Sequence, residues 1–238
     1  MSTRRTVRIV GFVFKTLFSL LILGVCAILL WRIFFSMNEP NGVSTIYVNQ
    51  PLKEAYEEHG EDLVLKYQNQ FSMTYSEENA GYFGISQYVI IPEADQIQVV
   101  LRFNNATLTH IKEDFGLAET PKKGDPELLD LSLRHITDLT PDNKSDNEEL
   151  SSLDIKRIQP SYVTVDTTAL YTYYRIVFDG VSINESAVSN VILDIYYNDT
   201  VDYNEKAYGS LLLYDNLADW FDYDLTREDK KALEDAVK

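Results

Sequence analysis

Gln96-Ile97-Gln98-Val99-Val100-Leu101-Arg102-Phe103-Asn104 is the stretch whose reading decides the fold class. Ile97, Val99, Leu101 and Phe103 alternate with Gln96, Gln98, Val100, Arg102 and Asn104. A period of two places one side of a strand in a core and leaves the other in water. The reading therefore predicts a strand with its odd positions buried and its even positions solvated.

Working outward, Gly84 to Ile91 reads as a second strand. Pro92, Glu93, Ala94 and Asp95 then form the connection of a hairpin. Leu129, Leu131 and Leu133 alternate with Asp130, Ser132 and Arg134. Further strands are expected at Tyr162 to Val165, Ala169 to Phe178, Val191 to Tyr197 and Tyr208 to Tyr214, each bounded by Asn, Asp or Gly. Several strands joined by short polar turns describe a mainly β protein, here a β-sandwich-like domain or an open barrel. Sixteen Tyr and eleven Phe point the same way, because aromatic rings fit the half-buried face of a sheet.

One or two peripheral helices accompany the strands. Leu52, Ala55, Tyr56, His59, Leu63, Val64 and Tyr67 recur at helical spacing after Pro51, with Gly60 weakening the run. Thr226 followed by Asp229 resembles a capping box that opens a helix from Arg227 to Ala236. Between Thr120 and Pro160 the regularity fails, and the polar run from Pro141 to Glu149 reads as a long surface loop.

The N-terminus follows a different rule. No charge occurs from Thr16 to Trp31, and Leu17-Phe18-Ser19-Leu20-Leu21-Ile22-Leu23-Gly24-Val25 has no wet face. About 20 residues span a hydrocarbon core, and the flanking apolar residues extend this run to that length. Lys15 and Arg32 sit where long side chains snorkel to the interfaces, and Trp31 stands at an interfacial position. The expected organisation is a basic cytoplasmic tail over 1–15, a transmembrane signal-anchor helix over 16–35, a linker over 36–50 and an acidic β-rich domain over 51–238. The excess of positive charge before the span keeps the N-terminus in the cytoplasm and the domain extracytoplasmic. A cleaved signal peptide is the alternative, but the residues after Trp31 lack a small-x-small site. A lipoprotein is disfavoured because Val25 precedes Cys26 and the apolar run continues past it.

Charge and cysteine usage narrow the function classes. Arg4, Arg5, Arg8, Lys15 and Arg32 precede the first acidic residue, Glu39, so the part beyond Ser36 holds 16 basic against 37 acidic side chains, a net of −21. That excess repels phosphate backbones and excludes nucleic acid as a partner. Cys26 is the only cysteine, so the outer domain contains no disulfide and no thiol nucleophile, which favours a bacterial cell envelope over a eukaryotic secretory route.

No motif identifies a chemistry. His59, His110 and His135 lie outside the spacings that metal sites use. There is no G-x-S-x-G and no Gly-rich loop leading into a helix, so the reading contains no catalytic residue, no metal ligand and no cofactor. Asp199, Asp202, Asn204 and Glu205, like Asp215, Asp219, Asp222 and Asp224, cluster without calcium-loop spacing and read as turn chemistry. Sequons at Asn105, Asn143, Asn184 and Asn198 read as chance occurrences.

Tyr171, Tyr173 and Tyr174, with Tyr196 and Tyr197, place phenols on both faces of their strands. Core and cross-strand packing is the commoner role of such rings, and the alternative is rigid contact area for protein or sugar on an open sheet face, for which Tyr171, Tyr173 and Tyr196 are the candidate partner-binding face. The leading expectation is a non-catalytic, membrane-anchored module that binds a protein or envelope polymer, with membrane lipid around its anchor. The alternatives are an extracytoplasmic hydrolase using a carboxylate pair, and an accessory subunit of a membrane complex that packs through Gly11, Ser19 and Gly24.

Overall fold

The computed structural model describes residues 3–37, 39–68, 82–138, 153–183, 189–198, 203, 207–215, 219–223 and 225–238. The expected loop over 141–149, the sequon residues Asn143 and Asn184, and Asp199, Asp202, Asn204, Glu205 and Asp224 lie outside the described residues. The chain divides into two units, Met1–Glu39 and Pro40–Lys238.

The first unit is one helix, α1 (Thr3–Met37). Its stretch Phe14–Trp31 covers 18 residues with a mean hydropathy of 2.2 and is 0% buried. At 1.5 Å per residue that stretch is about 27 Å long, close to the thickness of a hydrocarbon core. The helix is long and apolar enough to cross a membrane.

The second unit is mainly β. It opens with one helical turn, α2 (Asn41–Ser44), then α3 (Gln50–His59) and β1 (Lys66–Gln68). β2 (Phe83–Ile91), β3 (Gln96–Asn104), α4 (Asn105–Asp114), β4 (Leu129–Asp138), β5 (Leu153–Ile158), β6 (Tyr162–Thr167) and β7 (Tyr171–Asp179) follow. The chain finishes with β8 (Ser189–Tyr197), β9 (Gly209–Asp215), β10 (Trp220–Asp222) and α5 (Arg227–Val237). Two antiparallel sheets result, in the orders β10-β1-β2-β3-β7-β6 and β5-β4-β8-β9. The expected hairpin is β2 and β3, joined by a 3-10 turn at Pro92–Ala94 and by Asp95 at φ 46°, a left-handed position that Asp tolerates.

One core holds the two sheets together. The odd positions of β3 face it, as the sequence predicts, and in register with them lie Phe178, Ile176 and Tyr174 of β7. From the other sheet come Leu129, Leu131 and Leu133 of β4 and Val191, Leu193 and Ile195 of β8. α4 closes one end of this layer with Leu108 and Ile111, its first turn capped by Asn104, whose Oδ1 accepts from the amides of Ala106 and Thr107.

The far face of the six-stranded sheet corrects two expectations. Gln96, Gln98 and Val100, expected in water, are 0%, 1% and 1% exposed. Residues 43–49, expected to belong to a linker over 36–50, cover them. The Gln98 amide accepts from the Tyr47 N–H at 2.8 Å and donates to the Tyr47 carbonyl at 2.7 Å, as a neighbouring strand would. Gln96 donates to Asn49 at 2.8 Å and to Asp179 at 2.7 Å, and Arg175 donates to the carbonyl of Val43. The Tyr47 ring stacks on Tyr162 at 3.8 Å, and Val43 packs against Val100 and Tyr173.

Helices complete that cover. Leu52 and Ala55 of α3 and Leu233 of α5 pack with Ile46, Leu63, Leu65, Val89 and Ile91 in a second apolar cluster. α3 ends at His59 rather than continuing to Tyr67, because Gly60 adopts φ 58°, and Tyr67 joins β1 instead. The capping box of α5 is present as the sequence predicts, and its Asp229 also accepts the Ile46 N–H at 2.8 Å.

Candidate binding face

The four-stranded sheet turns the even positions of β4 and β8 away from the core. Ser132 stands opposite Asp194, Asp130 opposite Tyr196, and Arg134 opposite both Ile192 of β8 and Arg157 of β5. Two arginines directly across from each other repel, so this register requires an anion nearby. Asp194 supplies it. Arg134 grips its carboxylate with two parallel bonds, Nε to Oδ2 at 3.0 Å and Nη2 to Oδ1 at 2.9 Å. Arg157 reaches the same Oδ2 with Nη1 at 3.4 Å, and the Ser210 hydroxyl donates to Oδ1 at 2.8 Å.

Burial makes the arrangement stiff. The Asp194 side chain is 2% exposed, against 31% for Arg134 and 27% for Arg157, so the carboxylate is the floor and the guanidiniums are the rim. A buried carboxylate is tolerable only when its lone pairs are filled, and four donors fill them here. Asp194 answers both guanidiniums from below, and Asp130, held by Tyr203 beside Arg157, supplies a second carboxylate to the cluster.

Two phenols frame Arg157. Its guanidinium lies 5.7 Å from the Tyr196 ring and 5.0 Å from the Tyr203 ring, within cation–π range, and Nη1 donates to the Tyr196 hydroxyl at 3.1 Å. The Tyr203 hydroxyl lies 2.9 Å from both Asp130 oxygens and receives a bond from Gln159 at 3.1 Å. Burial raises the Tyr203 pKa, helped by the Asp130 carboxylate, so the phenol stays a neutral donor. Beside this cluster Ile155 is 57% exposed, with Ile136 half-buried opposite it.

The three tyrosines expected to make one partner-binding face do not share a surface. Tyr171 and Tyr173 lie on the far side of the six-stranded sheet, with Tyr173 1% exposed against Val43 and Val100. Tyr171 is half-buried beneath the Arg102 guanidinium, 5.5 Å from its ring. Tyr196 alone belongs to the arginine cluster, and it is 5% exposed, a wall rather than a contact surface. Sequence reasoning missed Arg134, Arg157 and Asp194. The signal was Asp194 itself, the one charge in the apolar run Val191 to Tyr197.

Two adjoining cavities, of about 360 and 320 Å³, open beside the end of β8 and share Glu127 and Asn198. Carboxylates line them, as a hydrolytic pair would require, but two have other work. Asp125 accepts the Glu127 N–H at 3.0 Å in a turn, and its carbonyl takes the Tyr174 hydroxyl. Asp130 is held by Tyr203. His59 ends α3, His110 stacks on Tyr82 in α4, and His135 lies in β4. Among the described residues no group of three or more His, Cys, Asp or Glu is placed to hold a metal ion. Comparison with protein-family models, with curated proteins and with solved structures returned no match.

Proposed function

We propose that this chain is a membrane-anchored binding module, held by α1 with its N-terminus in the cytoplasm, whose sandwich-like β domain presents the rim of Arg134, Arg157 and Tyr203 to a protein or envelope polymer outside the cell. The observation that carries the reading is the contrast in cover. The far side of the six-stranded sheet is closed by the chain's own residues, whereas the arginine rim keeps a third of its surface open around a fixed, buried counter-ion. Arginine and tyrosine in such a frame lose little freedom on binding, and they dominate the energetics of known interfaces. The open guanidinium surface of the two arginines favours a partner with carboxylate or other anionic groups at the contact.

The hydrolase reading is weaker because Asp125 and Asp130, two of the acids in the cavities, are already tied to structural partners. The binding reading is tested by placing a photo-crosslinking residue at Tyr203, and separately at exposed Glu57 on α3, in the full chain in intact cells. Adducts with one discrete species from position 203 and none from position 57 are expected. Equal labelling from both positions would remove the binding face. Protease added outside intact cells should digest the β domain while leaving the first ten residues protected, and the reverse pattern would overturn the topology.

A further inference from the structure

The four-stranded sheet ends in β5 on one side and β9 on the other. β9 is sealed: its residues Gly209 to Tyr214 are buried, and the amide and carbonyl of Asp215 are taken by the Gln68 side chain at 3.0 and 2.9 Å. β5 is not. It pairs with β4 along one edge, and among the described residues no backbone bond meets its other edge. Asp154, Ile155 and Lys156 are all exposed. Open edges of this kind are usually blunted by charge, and Lys156 serves that purpose against most partners.

One partner reads the charge differently. The triplet Asp154-Ile155-Lys156 is its own antiparallel complement. If a second copy of β5 runs antiparallel with Ile155 opposite Ile155, Asp154 stands opposite the partner's Lys156 and Lys156 opposite the partner's Asp154. Residues opposite each other across antiparallel strands share a face, and this register keeps every pair on matching faces. Two opposite-charge pairs then lie on one face of the seam. On the other face Ile155 meets its twin, and each is flanked on β4 by Ile136, so four isoleucines become contiguous. A shift by one residue would break the facing rule, and a shift by two would bring like charges opposite or leave these charges without a match.

We infer that β5 is a self-association edge: two copies of this chain join there by a two-fold axis, fusing their four-stranded sheets into one. The interface is isologous, as a two-fold dimer requires. It places both Arg134–Asp194–Arg157 clusters on one face of the joined sheet, although the pairing rests on β5 alone and holds whether or not the arginine face binds a partner. The register pairs Leu153 to Arg157 of each strand, five residues and a seam about 17 Å long, smaller than the roughly 800 Å² per partner of a stable soluble complex. The association is therefore concentration-dependent and is favoured when both copies are confined to one surface.

The test exploits the single cysteine. In the full chain with Cys26→Ser, Ile155→Cys is the only thiol, and a short bis-maleimide added to intact cells should yield a covalent dimer. Glu119→Cys, exposed on the loop after α4, should yield none. In the Ile155→Cys background, Asp154→Lys or Lys156→Asp alone should lower the crosslinked fraction at least tenfold. The double exchange, Asp154→Lys with Lys156→Asp, should restore it, which also shows that the single variants failed by repulsion and not by misfolding. No dimer from position 155, equal crosslinking from 119 and 155, or single and double exchanges that behave alike would overturn the inference.

Discussion

The outer faces of the two sheets each carry one charge buried in an apolar strand, Arg175 in β7 and Asp194 in β8, and they satisfy it by opposite means. Arg175, 3% exposed, is answered by the chain's own strap: the carbonyl of Val43, and the Oε1 of Gln98 at 3.2 Å, which in turn holds Tyr47. Asp194, 1% exposed, is answered by side chains whose far ends reach solvent. The first solution closes a face, and the second leaves a charged rim on one. A polar residue buried under backbone is structural, while a polar residue buried beneath arginines prepares those arginines for something else.

The largest effect is expected where both sheets meet. Leu101→Asp or Val99→Asp places an unpaired carboxylate in a layer that is 0% exposed, at a cost of several kcal/mol against a whole-domain stability of about 5–15 kcal/mol. The domain should largely unfold, read as a lost thermal transition in the fragment Pro40–Lys238. A normal melt would mean that these positions do not face the shared core.

Gln98→Leu comes next and attacks the closed face. It strands both the N–H and the carbonyl of Tyr47, and leaving such partly buried backbone groups unpaired costs about 1–3 kcal/mol. The period-two reading of this strand predicts a wet position here, where substitutions move stability by no more than about 0.5 kcal/mol. Denaturant titration separates the two. On the open face, Asp194→Asn keeps the shape and removes the charge, and a loss of about 1–2 kcal/mol is expected because the two guanidiniums remain partly screened by solvent. A larger loss from Asp194→Asn than from Gln98→Leu would invert the comparison.

These positions also show what the sequence could and could not reveal. The strands β3 and β4 with their core-facing odd positions, the Pro92 to Asp95 turn and the Thr226–Asp229 cap are local patterns, each set by its own backbone, and the structure has them where the sequence predicts. Cover is not local. Whether Gln98 meets water depends on Tyr47, 51 residues away, and a glutamine that pairs with a distant peptide carries the same letter as one in solvent. α4 was legible in principle, since Asn104 caps it and Leu108 and Ile111 fall three apart, but it follows β3 without a break and its apolar stripe is short. The arginine cluster was visible only as a lone Asp in an apolar strand, and Arg175 gave the mirror-image signal for the strap. A charge in such a run is expensive enough to imply partners, yet it does not say which strand supplies them.

The smallest expected effect concerns the edge where the open face meets β5. His135 sits in β4 opposite Lys156 of β5, and Asp154 lies two residues from Lys156 along β5. Burial lowers its pKa below 6.5, Lys156 adds to the lowering, and Asp154 opposes it. The folded domain therefore prefers the neutral imidazole, while the unfolded chain protonates near the ordinary value. Where the unfolded state binds more protons, stability rises with pH. His135 accordingly contributes its full share above about pH 6.5, and that share is lost as the pH falls through the window between 6.5 and the lower folded-state pKa. Below that window the loss levels off. Carboxylates titrate in overlapping ranges, so the contribution is isolated by comparing the parent with His135→Gln, which cannot protonate. Melting temperatures measured from about pH 7.5 down to about pH 5 should fall more steeply for the parent than for the variant. Parallel curves would place His135 in an environment as open as solvent, and a steeper fall in the variant would mean that Asp154, rather than burial and Lys156, governs the imidazole.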